Sequence, residues 1–317
     1  MKSISKKIFS ICLIFVLVFI TTACGNTGSS PASNSSASSS AKNGGNKPTI
    51  KVGSKNFTEQ YILGELYSQA LEAAGYPVER KLNLGGTLVA FEALKGGQID
   101  LYPEYTGTAL MDILKDQPKS DGDAVYEAVK KGYKEKWDIE VLNKTQFNNT
   151  YVLVTTKKAA EKYNLKKLSD LATKASELNF ALIPEFAERA DGLPGLQKTY
   201  GGFQFKSAKL FDIGLKYKAL TSGQVDVTIG FGTDGQIAGY NLVALEDDKK
   251  FWPPYHVAPQ VRGDVLKNNP EVGEIINKVN ALLTDQVMAS LNWKVDGDKE
   301  EPAAVAKQFL KQNGIIK

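Results

Sequence analysis

Tyr105, Tyr151, Phe231 and Tyr255 each stand near Gly, Pro, Asn or Thr at the end of a predicted strand, outside any periodic apolar stripe. An aromatic face attracts a cation by about 0.5–1 kcal/mol when exposed and by about 2 kcal/mol or more when desolvated. Several such faces around one point would hold a cation that has no hydrogen to donate, which describes a quaternary ammonium. Lys55 follows the first predicted strand and Arg189 lies in a loop after another, so both can reach the same cleft. Together they offer a carboxylate a point charge and a bidentate fork. Each residue also has a plainer reading. A Tyr or Phe is more often core packing, a Lys or Arg a solvated charge, and Arg189 has Glu185, Glu188 and Asp191 nearby as structural partners.

Catalytic apparatus is not evident. His256 is the single histidine and has no companion histidine or cysteine with metal-ligand spacing. No nucleophile elbow, phosphate loop or paired-cysteine pattern occurs. His256 reads as a packing or hinge residue, and the chain as a binding protein with no enzymatic activity, no cofactor and no metal.

The elements that must position these residues alternate. A strand at 49–53 runs into the loop Ser54-Lys55-Asn56-Phe57, and Thr58 is placed to cap the following helix. A strand at 78–84, a helix after Gly85-Gly86-Thr87 and a strand at Ile99 follow, the last opening into Tyr102-Pro103-Glu104-Tyr105-Thr106-Gly107-Thr108. A charged helix (123–136), a strand (139–141) and the segment Phe147-Asn148-Asn149-Thr150-Tyr151 lead to a second round. It comprises strands at 152–154, 180–183, 225–229 and 242–245, a short helix from Ser169, a loop at 184–195 and a helix at 210–220. Residues 251–258 read as a second crossing, before helices at 271–283 and 302–312. Such alternation implies a mostly parallel sheet with ligands beyond the carboxyl ends of its strands. Ala93-Leu94-Lys95-Gly96-Gly97-Gln98-Ile99-Asp100 recurs in altered form as Ala219-Leu220-Thr221-Ser222-Gly223-Gln224-Val225-Asp226, which predicts two similar lobes.

Residues 1–23 carry Lys2, Lys6 and Lys7 before an apolar run from Ile11 to Ile20, about half the length that spans a bilayer. This reads as a secretion signal. It ends Thr21-Thr22-Ala23-Cys24, which resembles the lipobox of bacterial lipoproteins, with Thr21 where Leu is usual. Cys24 is therefore the expected lipidation site, and residues 24–47, rich in Ser, Asn, Gly and Ala, a flexible tether. The formal charge of +4 falls to +1 when three lysines leave with the signal, as 36 basic against 35 acidic residues. With no basic run to release counterions from phosphates, nucleic acid is not an expected partner.

Four stretches in order resemble the substrate-binding proteins of ABC importers for osmoprotectants such as glycine betaine, carnitine, choline and proline betaine. They are Gly53-Ser54-Lys55-Asn56-Phe57-Thr58-Glu59-Gln60, the Tyr102–Thr108 segment, Glu185-Phe186 with Arg189-Ala190-Asp191-Gly192-Leu193-Pro194-Gly195, and Gly232-Thr233-Asp234-Gly235. The resemblance implies a type II periplasmic-binding-protein fold, two α/β lobes with a ligand cleft and a two-segment hinge. Lobe 1 would take 48–150 and 257–317, and lobe 2 151–256. It also implies an aromatic cage at Tyr105, Tyr151 and Tyr255, a polar contact at Thr108, and a carboxylate grip at Lys55 and Arg189. Phe231 stands where the family usually has Tyr, which keeps the π face and loses a hydroxyl. Asn149 is neutral where some relatives carry an acid, which favours a zwitterion over a pure cation.

The expected protein is a monomer, lipid-anchored on the outer face of the cytoplasmic membrane, that delivers a quaternary ammonium solute to an ABC permease for osmoprotection. Two alternatives stay open: the same fold with a different solute, such as ergothioneine or an amino acid, and a surface sensor lipoprotein.

Overall fold

The computed structural model describes residues 47–317. The expected signal, Cys24 and the tether up to residue 46 lie outside the described residues. Among the described residues no helix is long and apolar enough to cross a membrane.

Among the described residues, ten short strands form two five-stranded sheets. The first takes β1 (Ile50–Gly53), β2 (Val78–Lys81), β3 (Leu101–Tyr102), β4 (Ile139–Val141) and β10 (Gln260–Arg262), in the order β2-β1-β3-β10-β4. The second takes β5 (Tyr151–Thr155), β6 (Asn179–Leu182), β7 (Ser207–Leu210), β8 (Val227–Phe231) and β9 (Val243–Ala244), in the order β7-β6-β8-β5-β9. Each sheet is mixed, not mostly parallel. Parallel pairs join β1 to β2 and β3, and β6 to β7 and β8, while β10 and β5 insert antiparallel.

The sequence echo is a structural device used twice. Asp100 Oδ2 accepts from Lys51 N and Asp226 Oδ2 from Asn179 N, both at 2.8 Å, so each aspartate fastens the strand beside its own. Before each aspartate a glycine at positive φ, Gly97 (71°) and Gly223 (75°), ends a helix in the left-handed conformation that glycine adopts without steric cost.

Several local expectations are corrected. Thr58 does not cap: Phe57 is the N-cap of α1 (Thr58–Ala73), and Thr58 Oγ1 instead donates to Asp296 Oδ1 at 2.6 Å. The strand from Val78 stops at Lys81, where Asn83 turns the chain at φ 61°. Residues 184–195, expected as a loop, hold the helix Pro184–Glu188 and the start of the helix Leu193–Tyr200, each with proline in its first turn, where a missing N–H costs nothing. The expected helix at 210–220 shrinks to Lys216–Thr221: Leu210 closes β7, and residues 211–215 connect it to the helix through a turn. As a largely exposed edge strand of four residues, β7 is too short for its Ser-Ala-Lys-Leu alternation to announce it. The strand β10 and the helix Asp285–Asp296 were not expected at all.

Two segments cross between the sheets and bond to each other. Asn149 N donates to Tyr255 O (3.1 Å), Tyr255 N to Asn148 Oδ1 (2.7 Å) and Thr145 N to Val257 O (2.8 Å). His256 belongs to this pair of segments, with Nδ1 2.8 Å from Phe147 O. Burial pushes its imidazole below the ordinary value, and the nearby Lys144 adds to that against the opposing influence of Phe147 O and Asp285. A histidine depressed in the folded state contributes no pH dependence above its unfolded pKa, then loses stability as pH falls from there toward the folded value. The thermal midpoint should therefore drop more from about pH 7 to about pH 5 in the wild type than in His256→Gln. Parallel pH profiles for the two proteins would contradict this.

Candidate binding site

All eight residues singled out from sequence line one cavity of about 50 Å3: Lys55, Tyr105, Thr108, Asn149, Tyr151, Arg189, Phe231 and Tyr255. Strand ends and crossings bring them there. Tyr151 opens β5 and Phe231 closes β8, and the two are direct cross-strand partners with ring centroids 5.5 Å apart. Tyr255 comes from the second crossing and meets Tyr151 edge-on at 5.6 Å and 74°. A Cβ on Gly107 would stand 2.8 Å from the Tyr255 ring, so only glycine lets the turn after Tyr105 approach that closely.

The cage hydroxyls differ in their partners. Tyr105 donates to Glu59 Oε1 at 2.8 Å and Tyr255 to Asp191 Oδ2 at 2.5 Å. The Tyr151 hydroxyl has no hydrogen-bond partner among the described residues, although the ring is buried. Burial pushes the Tyr151 phenol well above its ordinary value, so it stays protonated and able to donate.

Lys55 and Arg189 reach the cavity already neutralised. Lys55 Nζ lies 2.6 Å from Glu104 Oε1 and 3.3 Å from Thr87 Oγ1, both buried. Burial lowers the Lys55 pKa, against the pull of Glu104. Arg189 donates through Nε and Nη2 to the two oxygens of Asp191 (2.7 and 2.6 Å) and through Nη1 to Asp112 (3.1 Å). Of Glu185, Glu188 and Asp191, the partners open to it from sequence, Arg189 takes Asp191, and it adds the more distant Asp112. Thr108 Oγ1 is 3.5 Å from Arg189 Nη2, at the limit of a hydrogen bond. Three cage rings carry a protein cation nearby: Lys55 Nζ is 4.8 Å from the Tyr105 centroid, Lys216 Nζ 4.0 Å from Phe231, and Arg189 Cζ 6.0 Å from Tyr151.

Asn149 is engaged with the protein. Its amide donates to Glu59 Oε1 (2.8 Å) and its carbonyl accepts from Thr233 N (3.4 Å). Glu59 is the hub that sequence reading missed. Its buried carboxylate accepts from Tyr105, Asn149, Asn292 Nδ2 (2.9 Å) and the Thr233 hydroxyl. Burial pushes its pKa up, while the Thr233, Asn292 and Tyr105 donors pull it back. Glu59→Gln would turn an amide N–H₂ toward these donors and should destabilise the protein by about 1–3 kcal/mol, the cost of an unsatisfied buried polar group. An unchanged unfolding midpoint would contradict the hub.

Two further aromatics were missed. Phe57 stacks on both Tyr105 (6.2 Å, 20°) and Phe231 (5.7 Å, 12°). Trp252 lies 6.1 Å from Tyr151 and fixes the loop behind it through Nε1 to Asp191 O at 2.8 Å. Both stand in segments read as a loop and a crossing, so the available signal was an aromatic beside a predicted strand end.

Comparison with known proteins decides the family. The model of the OpuAC family, the substrate-binding domain of ABC-type glycine betaine transport systems, matches residues 48–312. The chain belongs to the OpuAC family. It is 36% identical over 285 residues to the carnitine transport binding protein OpuCC of Listeria monocytogenes, covering 89% of this chain and 92% of that one. It is 38% identical to the ergothioneine transport permease/ergothioneine binding protein EgtU of Helicobacter pylori, over 85% of this chain and 48% of that one. Among solved structures, one described as a glycine betaine/carnitine/choline ABC transporter is 33% identical, with TM-score 0.70, covering 84% of this chain and all of its own. As an OpuAC-type chain, this protein has the type II periplasmic-binding-protein fold, two α/β lobes with a ligand cleft and a two-segment hinge. It is a substrate-binding component of an ABC importer, which places its work outside the cytoplasm.

Proposed function

We propose that the protein captures a zwitterionic quaternary ammonium solute, of the glycine betaine or carnitine type, and delivers it to an ABC permease as an osmoprotectant. The observation that carries this is the convergence of Tyr105, Tyr151, Phe231 and Tyr255 on one cavity that also holds Lys55 and Arg189. The aromatic faces take the methylated cation, and desolvation on lobe closure raises what each face contributes. The carboxylate finds the Tyr151 hydroxyl and the remaining N–H groups of Lys55 and Arg189. Their neutralisation by Glu104 and Asp191 makes these hydrogen-bond donors of limited net charge, so the cage is the main source of affinity and the basic pair the source of orientation. We further propose that lobe 1 comprises 48–150 and 257–317 and lobe 2 151–256, and that the protein is a monomer anchored through a lipid on Cys24 to the outer face of the cytoplasmic membrane.

Phe231 in place of tyrosine and the likeness to EgtU favour a second reading, an aromatic betaine such as ergothioneine. One calorimetric titration separates these readings, with glycine betaine, carnitine, proline betaine, choline, ergothioneine and, as a control without a methylated cation, proline. Tight binding of one methylated ammonium with none of proline supports the cage. Choline binding more tightly than every zwitterion would overturn the role given to Lys55 and Arg189, and silence across the panel would overturn the ligand class.

A further inference from the structure

Beyond the cage lies a second cavity of about 410 Å3, and Phe57 stands between the two. Its ring lines both spaces and lies nearly parallel to Tyr105 from the first sheet's strand end and to Phe231 from the second's. The Phe57 backbone is fixed, since its carbonyl accepts from Gln60 N (3.0 Å) and Tyr61 N (3.2 Å) at the start of α1. The side chain can therefore be shortened without removing a hydrogen bond. The other shared lining residues are built into the protein differently: Phe231 belongs to the β5–β8 ladder, and Asn56, Glu185 and Ile213 flank the rings.

The two cavities have different chemistry. The first is aromatic. The second presents the carboxylates of Asp212 and Asp296, with Asn292 and Gln236 in its wall. Its one lysine, Lys216, is held by Asp234 at 3.0 Å. A ligand confined to the cage touches none of these groups, whereas a ligand larger than the cage meets them across the wall that Phe57 shares with Asn56, Glu185, Ile213 and Phe231.

We propose that Phe57 is the specificity-determining partition of this site, the ring that limits the cage to a compact methylated ammonium head and closes off the neighbouring cavity. The proposal rests on the reading that the cage takes a quaternary ammonium. Removing the ring joins the two spaces and admits a bulky substituent on the ammonium. Loss of one aromatic face also weakens binding of a compact head, so the preference moves from both sides. Pocket shape commonly discriminates by about 10–200-fold for a single methylene, and a phenyl ring is a larger difference.

The test uses the wild type and Phe57→Ala, each titrated with tetramethylammonium as the compact probe and benzyltrimethylammonium as the bulky one. The wild type should prefer tetramethylammonium, and in the variant the ratio of the two affinities should shift toward benzyltrimethylammonium by about tenfold or more. An unchanged ratio overturns the partition. Failure of the wild type to bind either probe counts against the ligand class and leaves the partition to a second measurement, a crystal structure of Phe57→Ala. One continuous cavity there supports the partition, and a gap filled by movement of Tyr105, Ile213 or Phe231 overturns it.

Discussion

Tyr255→Ala should weaken binding of the methylated ammonium by about 100-fold, close to the sum of one desolvated cation–π contact and the packing the ring supplies. The loss reaches further than one face. Tyr255 is buried, meets Tyr151 edge-on and donates to Asp191, so its removal opens the cage floor and takes a donor from the carboxylate that holds Arg189. Tyr255→Phe separates these effects. It keeps the π face and removes only the hydroxyl, and should retain most of the affinity. Tyr105→Ala should behave like Tyr255→Ala, with the added loss of a donor to Glu59. Calorimetry on the folded variants checks both, and wild-type affinity in the two alanine proteins would remove the cage from the account of binding.

Arg189→Ala should cost about 3–5 kcal/mol of stability, the range for breaking one side of a buried ion pair. Asp191 is 1% exposed and receives both the Nε and Nη2 donors of Arg189, so the variant leaves a buried carboxylate with the Tyr255 hydroxyl as its remaining side-chain donor. For a protein of this size the thermal midpoint should fall by on the order of 10 °C. Replacing both members, Arg189→Met with Asp191→Leu, should recover much of that stability without restoring ligand binding, because the charge left unpaired is the main cost. If the single variant melted with the wild type, Arg189 would not be held by Asp191 in solution, and its guanidinium would be free for a ligand carboxylate.

Most of the cavity's aromatic lining was legible in the chain because strand ends next to Gly, Pro and Asn have few roles for a large aromatic side chain, and because a type II fold gathers strand ends at one cleft. Phe57 escaped notice for a local reason. It sits at the N-cap of α1, a position whose preferred residues are Ser, Thr, Asp and Asn, so the pattern drew attention to Thr58. Glu59 escaped for the opposite reason. An acid in the first turn of a helix has an ordinary explanation in the helix dipole, and nothing local says that Asn149, Thr233 and Asn292 will converge on it. The edge strand β7 and the inserted β10 were missed because a short strand on a sheet edge, or one of three residues, carries too little alternation to be read.

Composition, the alternation of strands and helices and the repeated Gly-Gln-Ile-Asp and Gly-Gln-Val-Asp segments were enough to establish two related α/β halves, since periodicity and turn chemistry act over a few residues and are written locally. Which residues would line the cavity was legible by type. Their pairing was not. Lys55 read along the chain as a cleft cation or a solvated charge, and Arg189 as either of these or a partner of Glu185, Glu188 or Asp191; the fold pairs them with Glu104 and Asp191. Partner choice depends on contacts such as Lys55 with Glu104, 49 positions apart, and on burial that raises the cost of any charge left alone. Those are properties of the assembled cleft, which is also where Phe57 acquires its place between two cavities.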